Sequence, residues 1–514
     1  MRRFTSLLAA TGLAAASLVL VAPASPASAA SDTTCESRTN DTIKKLLACV
    51  KLKGVRDHQA ALQAIADANG GTRASGTSGY DASADYAVNV FESAGYDVTV
   101  QEFEFLKSVE LGPSDLQQLS PSTVTYIEGT DFQTFSQTDA GDVSAAVTAV
   151  DLQLGLGNAS TSGCEPADFA GFPAGNIALM QRGFCSFEAK VENAAAAGAT
   201  GAIIFNQGNT PERTGLINGT LGETNESGIP AMDATYALGA EWAATPGLVM
   251  RLHANVFRGE LTTSNVLAES RSGNAGNVVM VGAHLDSVDE GPGINDNGSG
   301  TAAILETAQQ MAKVKPRNKV RFALWGAEES GLVGSDNYVF GLSDEERAKI
   351  ALYLNFDMIG SPNYVRFVYD GDGSAFGLAG PPGSAPIENY FTNFYASRGL
   401  ASEETQISFR SDYAAFFDSG IPFGGLFTGA EGVKTPEQAA IYGGVAGEQY
   451  DPCYHQACDT FDNNSNEVLD LNSDAVAAST LKFAMSTRSV NGVKGKGNFQ
   501  APAHDGTDGP VPTS

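Results

Sequence analysis

Four apolar stretches of this 514-residue chain end in side chains that ionise or bind metals. Residues 279–283 lead into His284-Leu285-Asp286. Gly293-Ile294-Asn295 leads into Asp296, just ahead of a helical pattern. Residues 322–327 lead into Glu328-Glu329, and residues 352–356 into Asp357. Charge placed directly after a buried strand costs free energy unless it is paired or metal-bound. In open α/β sheets the carboxyl ends of the strands form the ligand crevice. Imidazole and carboxylate together suit zinc and similar divalent ions. Two histidines and three carboxylates, one carboxylate shared, would hold two zinc ions about 3.5–4 Å apart. The charges of two zinc ions, three carboxylates and a bridging hydroxide sum to zero, so such a site is neutral when ready to attack. The chain has only 5 histidines, so two spent on metal use up much of the supply.

Taken singly, each residue has a plainer reading. An aspartate at a strand end is often a helix cap, Glu328-Glu329 could complement a helix dipole, and His284 could be a hydrogen-bonded core histidine. Four such endings in succession favour the metal site. Other catalytic signatures are absent: the chain has no H-E-x-x-H, no G-x-S-x-G and no Walker GK[ST]. The glycines at 291, 293, 298 and 300 lack a phosphate-binding lysine, so that loop is not a nucleotide cradle.

The elements that position these residues follow from apolar periodicity. Strands are expected at 278–282, 320–325 and 351–356, with helices over 300–311, where Ser299 reads as the N-cap, and from 344. This alternation predicts an α/β fold, a parallel sheet with helices on both faces. Ahead of it, helices are expected from 57 to the Gly70-Gly71 stop and over 83–94, then a strand over 96–105. Residues 108–140 are rich in Ser, Thr and Gln and open an insert over 111–257, with short strands at 145–150, 176–180 and 201–205 and a helix over 187–197. The two parts on either side of the insert are then 57–110 and 258–493. Residues 1–29 read as a signal peptide: Arg2-Arg3, an apolar run over 7–22, and Ala27-Ser28-Ala29. Residues 30–56 read as a disulfide-tied leader, and the Gly/Pro/Asp-rich 494–514 as a disordered tail. The 31 basic against 59 acidic residues, net −28, argue against nucleic acid and anionic membranes as partners. The 6 cysteines of an exported chain read as disulfides. Neighbour pairing gives Cys35–Cys49, Cys164–Cys185 and Cys453–Cys458, one of fifteen connectivities that six cysteines allow.

These segments resemble the two-zinc exopeptidases related to secreted bacterial leucyl aminopeptidases and aminopeptidase Y. The resemblance lies in 282–287 (Gly-Ala-His-Leu-Asp-Ser), 291–300 (Gly-Pro-Gly-Ile-Asn-Asp-Asn-Gly-Ser-Gly), 327–335 (Ala-Glu-Glu-Ser-Gly-Leu-Val-Gly-Ser), 355–360 (Asn-Phe-Asp-Met-Ile-Gly) and Tyr454-His455 inside Cys453…Cys458. It implies a mixed, mostly parallel sheet flanked by helices. It further implies that His284 and Asp357 hold one zinc, Glu329 and His455 the other, and that Asp296 bridges both, with a cis peptide after Asp296. Glu328 would be the general base, taking a proton from a zinc-bridging water, and Tyr454 a hydrogen-bond donor to the oxyanion. Asp286, two residues past His284, would orient it. Arg410, in a stretch resembling the family's pocket lining, is either a substrate-binding residue or a surface arginine paired with Asp412. Asp470 and Asp474 have the spacing at which some secreted relatives bind Ca2+, with helix-start acids the favoured reading. Residues 176–205 resemble a β-rich protease-associated domain, which Cys164–Cys185 fits. The expected function is a secreted, monomeric metallo-aminopeptidase acting on peptides with a free N-terminus, favouring large hydrophobic residues such as Leu, with no membrane attachment after signal cleavage. The alternatives are a carboxypeptidase or aminoacylase on the same scaffold, kept open by Arg410, and a non-catalytic protein of the transferrin-receptor-like type.

Overall fold

The computed structural model describes residue 35 and residues 37–222 and 224–492. The expected signal peptide and tail lie outside the described residues.

One sheet carries the charged strand ends. We number its eight strands in chain order: β1 (Asp97–Glu110), β2 (Val256–Glu269), β3 (Asn274–His284), β4 (Asn318–Trp325), β5 (Ile350–Phe356), β6 (Phe367–Tyr369), β7 (Glu403–Thr405) and β8 (Phe423–Phe427). Their order is β1-β2-β4-β3-β5-β8-β6-β7. The centre, β4-β3-β5-β8, is parallel, whereas β1, β2 and the β6–β8 pair run antiparallel. The sheet is therefore mixed with a parallel centre. β3 shows why its sequence is a continuous apolar run rather than an alternating one: Val279 and Val281 enter one core, Val278 and Met280 a second core on the other face. Burial on both faces is what a central parallel strand requires. Helices Leu52–Ala68, Ser78–Ser93, Gly298–Met311 and Asn466–Met485 cover the first face. Val333–Gly341 and Ala414–Asp418 lie against the second.

Several elements differ from expectation. Helix Leu52–Ala68 starts inside the stretch read as a leader, and Ile43–Leu47 is helical as well. Ser299 does not cap Gly298–Met311. The cap is Asn297, whose side chain accepts from the Gly300 amide, and the Ser299 hydroxyl donates to the Asn295 carbonyl. β6, β7, β8 and helices Ser384–Ala396 and Asn466–Met485 were not expected, and neither was β2, which pairs with β1 along its whole length, from Asp97 opposite Glu269 to Glu110 opposite Val256. This ribbon brings the two ends of the insert side by side. The insert has its own eight-stranded sheet and its own apolar clusters around Trp242, Met250 and Ile203, and around Phe135, Met180 and Ile204. The disulfides join Cys35 to Cys49, Cys164 to Cys185 and Cys453 to Cys458.

Candidate active site

The site grows out of three adjacent parallel strand ends. β3 delivers His284, and the residues after β4 and β5 deliver Glu328-Glu329 and Asp357. Asp296 arrives on the turn before helix Gly298–Met311, and its peptide bond to Asn297 is cis. His455 arrives on the small loop closed by Cys453–Cys458. Three non-glycine residues in the left-handed region adjoin these groups or are one of them: Ala327 (φ 53°), Met358 (φ 48°) and His455 itself (φ 55°). Such backbone costs of order 1–3 kcal/mol per residue and persists where surrounding structure enforces it.

The side chains converge on Asp296. Its Oδ1 lies 3.1 Å from His284 Nε2, and its Oδ2 lies 3.4 Å from His455 Nε2. His284 Nε2 is also 3.3 Å from Asp357 Oδ1, and His455 Nε2 is 3.0 Å from Glu329 Oε2. One carboxylate thus faces two imidazoles, each with a second carboxylate of its own. Within each trio, His284-Asp296-Asp357 and Asp296-Glu329-His455, the ligand atoms lie within 4.8 Å of one another. Glu329 Oε1 and Asp357 Oδ1 are buried with no hydrogen-bond partner. Orphaned oxygens of this kind, in a cluster of imidazoles and carboxylates, fit divalent metal.

The electrostatics agree. Burial and the neighbouring carboxylates Glu329, Asp412 and Asp357 push the Glu328 carboxyl well above the ordinary range, although His284 opposes them. Burial and Asp296 push Glu329 up to about 7. Burial disfavours charge on Asp296, yet hydrogen bonds from His284 and His455 hold it well below the carboxylate range. Burial likewise opposes protonation of His284, but Glu328 and Asp357 outweigh it and raise the imidazole. Burial opposes charge on His455 too, but Asp296 and Glu329 outweigh it and raise the imidazole to about 10.

A surrounding layer fixes these groups. The Asp286 carboxylate accepts the Glu328 and Glu329 amides, at 3.3 and 3.4 Å. The group at hydrogen-bond distance from His284 Nδ1 is the Asp286 carbonyl, 3.1 Å away, while its carboxylate is 3.6 Å away. Asp357 Oδ2 accepts from the Ser411 hydroxyl at 2.6 Å. Asp459 accepts the Asn295 and Asp296 amides, both at 2.9 Å. Arg73 is fully buried and donates to the carbonyls of Leu285, Pro292 (2.8 Å) and Gly293 (2.8 Å), fastening the loop between His284 and Asp296. Ser411 lies in the stretch that resembles the family's pocket lining, but its bond to Asp357, and the roles of Asp459 and Arg73, are not expected from the sequence. The only available signal was that Arg73 and Asp459 are charges near ligand blocks or helix stops.

A cavity of about 370 Å³ opens onto His284, Asp296, Glu328, Glu329, Asp357 and His455. Its lining also includes the apolar side chains of Met358, Tyr369, Phe409 and Phe427. Tyr454 stacks on His455, ring centroids 3.8 Å apart, and its hydroxyl accepts from Arg410 at 3.2 Å. Arg410 pairs with Glu431 at 2.6 Å and not with Asp412, which is buried behind it. Asp470 accepts the Leu52 amide at the start of helix Leu52–Ala68, the capping work of an ordinary acid.

The profile of Peptidase family M28 matches residues 265–480, and that of the PA domain matches 144–242. An aminopeptidase of Pseudomonas aeruginosa is 58% identical over 443 residues, covering 86% of this chain and 83% of that protein. Leucine aminopeptidase 2 of Trichophyton rubrum is 39% identical, covering 85% of each. Among solved structures, the aminopeptidase of Aneurinibacillus sp. strain AM-1 superposes with a TM-score of 0.61 at 29% identity, covering 85% of this chain and 95% of that one. The zinc aminopeptidase BSAP of Bacillus subtilis gives 0.55 at 27% identity, covering 84% and 95%. The strand ends, the convergent carboxylates and these relatives lead to one assignment: the chain belongs to peptidase family M28, as a metallo-aminopeptidase with an inserted PA domain.

Proposed function

We propose that this chain is a secreted aminopeptidase that holds two zinc ions and removes N-terminal residues with large apolar side chains. The observation that carries the reading is Asp296, whose two oxygens face two different imidazoles. His284 and Asp357 would hold one ion, Glu329 and His455 the other, with Asp296 shared. Zinc bound there supplies Lewis acidity, polarising the scissile carbonyl and acidifying water.

The chain's own groups supply the remaining chemistry. Glu328 lines the cavity, with a carboxylate oxygen within 4.8 Å of ligand atoms of His284 and Glu329, and in this reading it receives a proton from the attacking water and passes it to the departing amine. Asp286 fixes Glu328 from behind through its amide. The Tyr454 hydroxyl already accepts from Arg410, so its own hydrogen is free to point at the oxygen that gains charge. Met358, Tyr369, Phe409 and Phe427 receive the N-terminal side chain and favour Leu over small or charged residues. The α-amine of the substrate finds carboxylates on the metal side of the cavity.

Arg410 would suit a C-terminal carboxylate, which is the carboxypeptidase reading. Its charge is already taken by Glu431, so that reading gains nothing from the site. A non-catalytic role is disfavoured because every ligand and Glu328 are present. For Asp470 and Asp474 the reading as ordinary helix acids is favoured over calcium, because Asp470 accepts the Leu52 amide. Export is supported by three disulfides, and no helix among the described residues is long and apolar enough to cross a membrane.

The test is zinc per chain together with hydrolysis of leucinamide beside N-acetyl-leucinamide. Two zinc ions and cleavage of the free amine alone support the proposal. Full activity after complete metal removal refutes it.

A further inference from the structure

Next to the catalytic cavity lies a second one, of about 500 Å³, with no role in the chemistry described above. The two share Glu329 and Gly331 in their walls. Its lining includes buried Ser75 and Lys107, then Asp289, and the exposed Glu110, at the end of β1, and Glu290, with Gln137 from the inserted domain. We propose that this groove is the track for the substrate residues downstream of the scissile bond, and that it selects basic side chains at the second and third positions of the peptide. The proposal rests on the aminopeptidase reading above.

The direction of the substrate follows from the geometry of the two cavities. An aminopeptidase must enclose the first residue and let the rest of the chain leave. The apolar side chains Met358, Tyr369, Phe409 and Phe427 line the catalytic cavity and not the second one, so the first side chain is taken there. The divide toward the second cavity is the turn at Glu329–Gly331, where Gly331 has a φ of 103° and no side chain to obstruct a passing peptide.

The charge preference follows from counting which ions are already satisfied. Lys107 is buried and committed: its Nζ donates to the Ser75 carbonyl at 3.0 Å and to Asp289 Oδ1 at 2.7 Å. Arg258, across the ribbon from Ser108, sits 3.4 Å from Asp139. Glu128 behind the groove accepts the Ser114 amide and the Thr134 hydroxyl. Glu110 and Glu290 remain exposed at the rim and form no ion pair with another described residue. Burial and repulsion from Glu128 and Glu290 raise the Glu110 carboxyl above its ordinary range, as expected of carboxylates that face one another without a cation. A lysine or arginine side chain of the peptide supplies that cation, reaching the rim while its backbone follows the groove.

The experiment measures kcat/KM for the full-length protein on peptides beginning Leu-Lys-Lys, Leu-Ala-Ala and Leu-Glu-Glu, with leucinamide as a substrate that has no downstream residue. The lysine peptide is expected to exceed the glutamate peptide by about 10-fold at low salt, and the ratio to shrink as salt screens the rim. Glu110→Gln with Glu290→Gln should bring that ratio to within about 2-fold of one, whereas Glu92→Gln with Glu345→Gln, which precede the starts of β1 and β5 at the end of the sheet opposite the groove, should leave it unchanged. A ratio near one in the unmodified protein overturns the proposal. So does a ratio that survives the double rim variant, because the preference then comes from the overall negative charge. Cleavage of leucinamide with no charge preference refutes the groove and leaves the aminopeptidase reading standing. No cleavage of any of these substrates refutes both.

Discussion

Replacing Arg73 by Met should loosen the metal site from behind. Arg73 is fully buried, and its guanidinium donates to three carbonyls, those of Leu285, Pro292 and Gly293. These carbonyls lie on the loop that runs from His284 to Asp296, a ligand to each trio. Methionine fills much of the same volume and donates nothing, so three buried acceptors lose their partner. Each such loss costs about 1–3 kcal/mol. Relief of the desolvation that pulls the guanidinium down to about 10 returns part of this. A net loss of about 3–5 kcal/mol is expected, shared between global stability and the position of the loop. Outer partners of metal ligands are typically worth 10- to 100-fold in metal affinity. The assay is zinc affinity by competition with a chromophoric chelator, together with urea unfolding of the metal-free protein. Arg73→Lys keeps the charge and one or two donors, so it should fall between the two. Arg73→Met with unchanged zinc affinity and lowered stability would refute the positioning argument and leave Arg73 a core residue only. No change in either quantity would refute the hydrogen-bond accounting itself.

Glu306 offers a test by pH. Burial raises its carboxyl from 4.5 to about 7, and the side chain packs between Gly54 and Gln310 on the inner face of helix Gly298–Met311. A raised carboxylate favours folding fully only below pH 4.5, and that contribution is lost as pH rises to about 7; at about 1.4 kcal/mol per pH unit the loss is about 3 kcal/mol. Glu306→Gln should therefore gain stability over the parent at pH 8 and not at pH 4, read by chemical unfolding; equal effects at both would contradict it. Removing Cys453–Cys458 by double Ser substitution should cost at most about 2 kcal/mol of stability, because it closes only a 5-residue separation, while weakening zinc binding through His455. Unchanged zinc affinity would show that the loop holds its shape without the bridge. Tyr454→Phe should lower kcat by up to about 100-fold with little change in KM, since the hydroxyl acts on charge that develops in the transition state; a change confined to KM would place Tyr454 in substrate binding instead.

What could be read in the sequence was whatever is local. β3, β4 and β5 are buried on both faces, so their apolar runs stop sharply where His284, Glu328 and Asp357 begin, and the charged residue marks the strand end. Asp296 and His455 were legible because each sits in a short, distinctive turn. What remained hidden depends on contacts between distant parts of the chain. Arg73 follows a helix-stopping Gly70-Gly71 and looks like a surface arginine, yet its partners lie 212–220 positions away. Asp459 holds the Asp296 amide from 163 positions away with nothing in its own neighbourhood to signal it, and Ser411 holds Asp357 from 54 positions away, in a stretch whose resemblance points to pocket lining but not to this bond. The cap of helix Gly298–Met311 was misread because Ser299 is a good capping residue. Asn297 takes the role because its side chain also bonds the Phe356 carbonyl and the Met358 amide, tying the helix start to the end of β5. The full pairing of β1 with β2 was missed because β2 lies beyond an insert of more than a hundred residues, where periodicity carries no information about partners.

The central claim is that two chemically identical neighbours, Glu328 and Glu329, do different work beside a shared Asp296. Zinc per chain and kcat on leucinamide, measured together for Glu328→Ala and Glu329→Ala, test it most directly. Glu328→Ala should keep both zinc ions and lose about 10²–10⁴-fold in kcat, the usual worth of a positioned base. Glu329→Ala should lose one zinc. If Glu328→Ala loses zinc while Glu329→Ala retains both, the roles are exchanged. If both variants stay fully active with both ions bound, the account of this site is wrong.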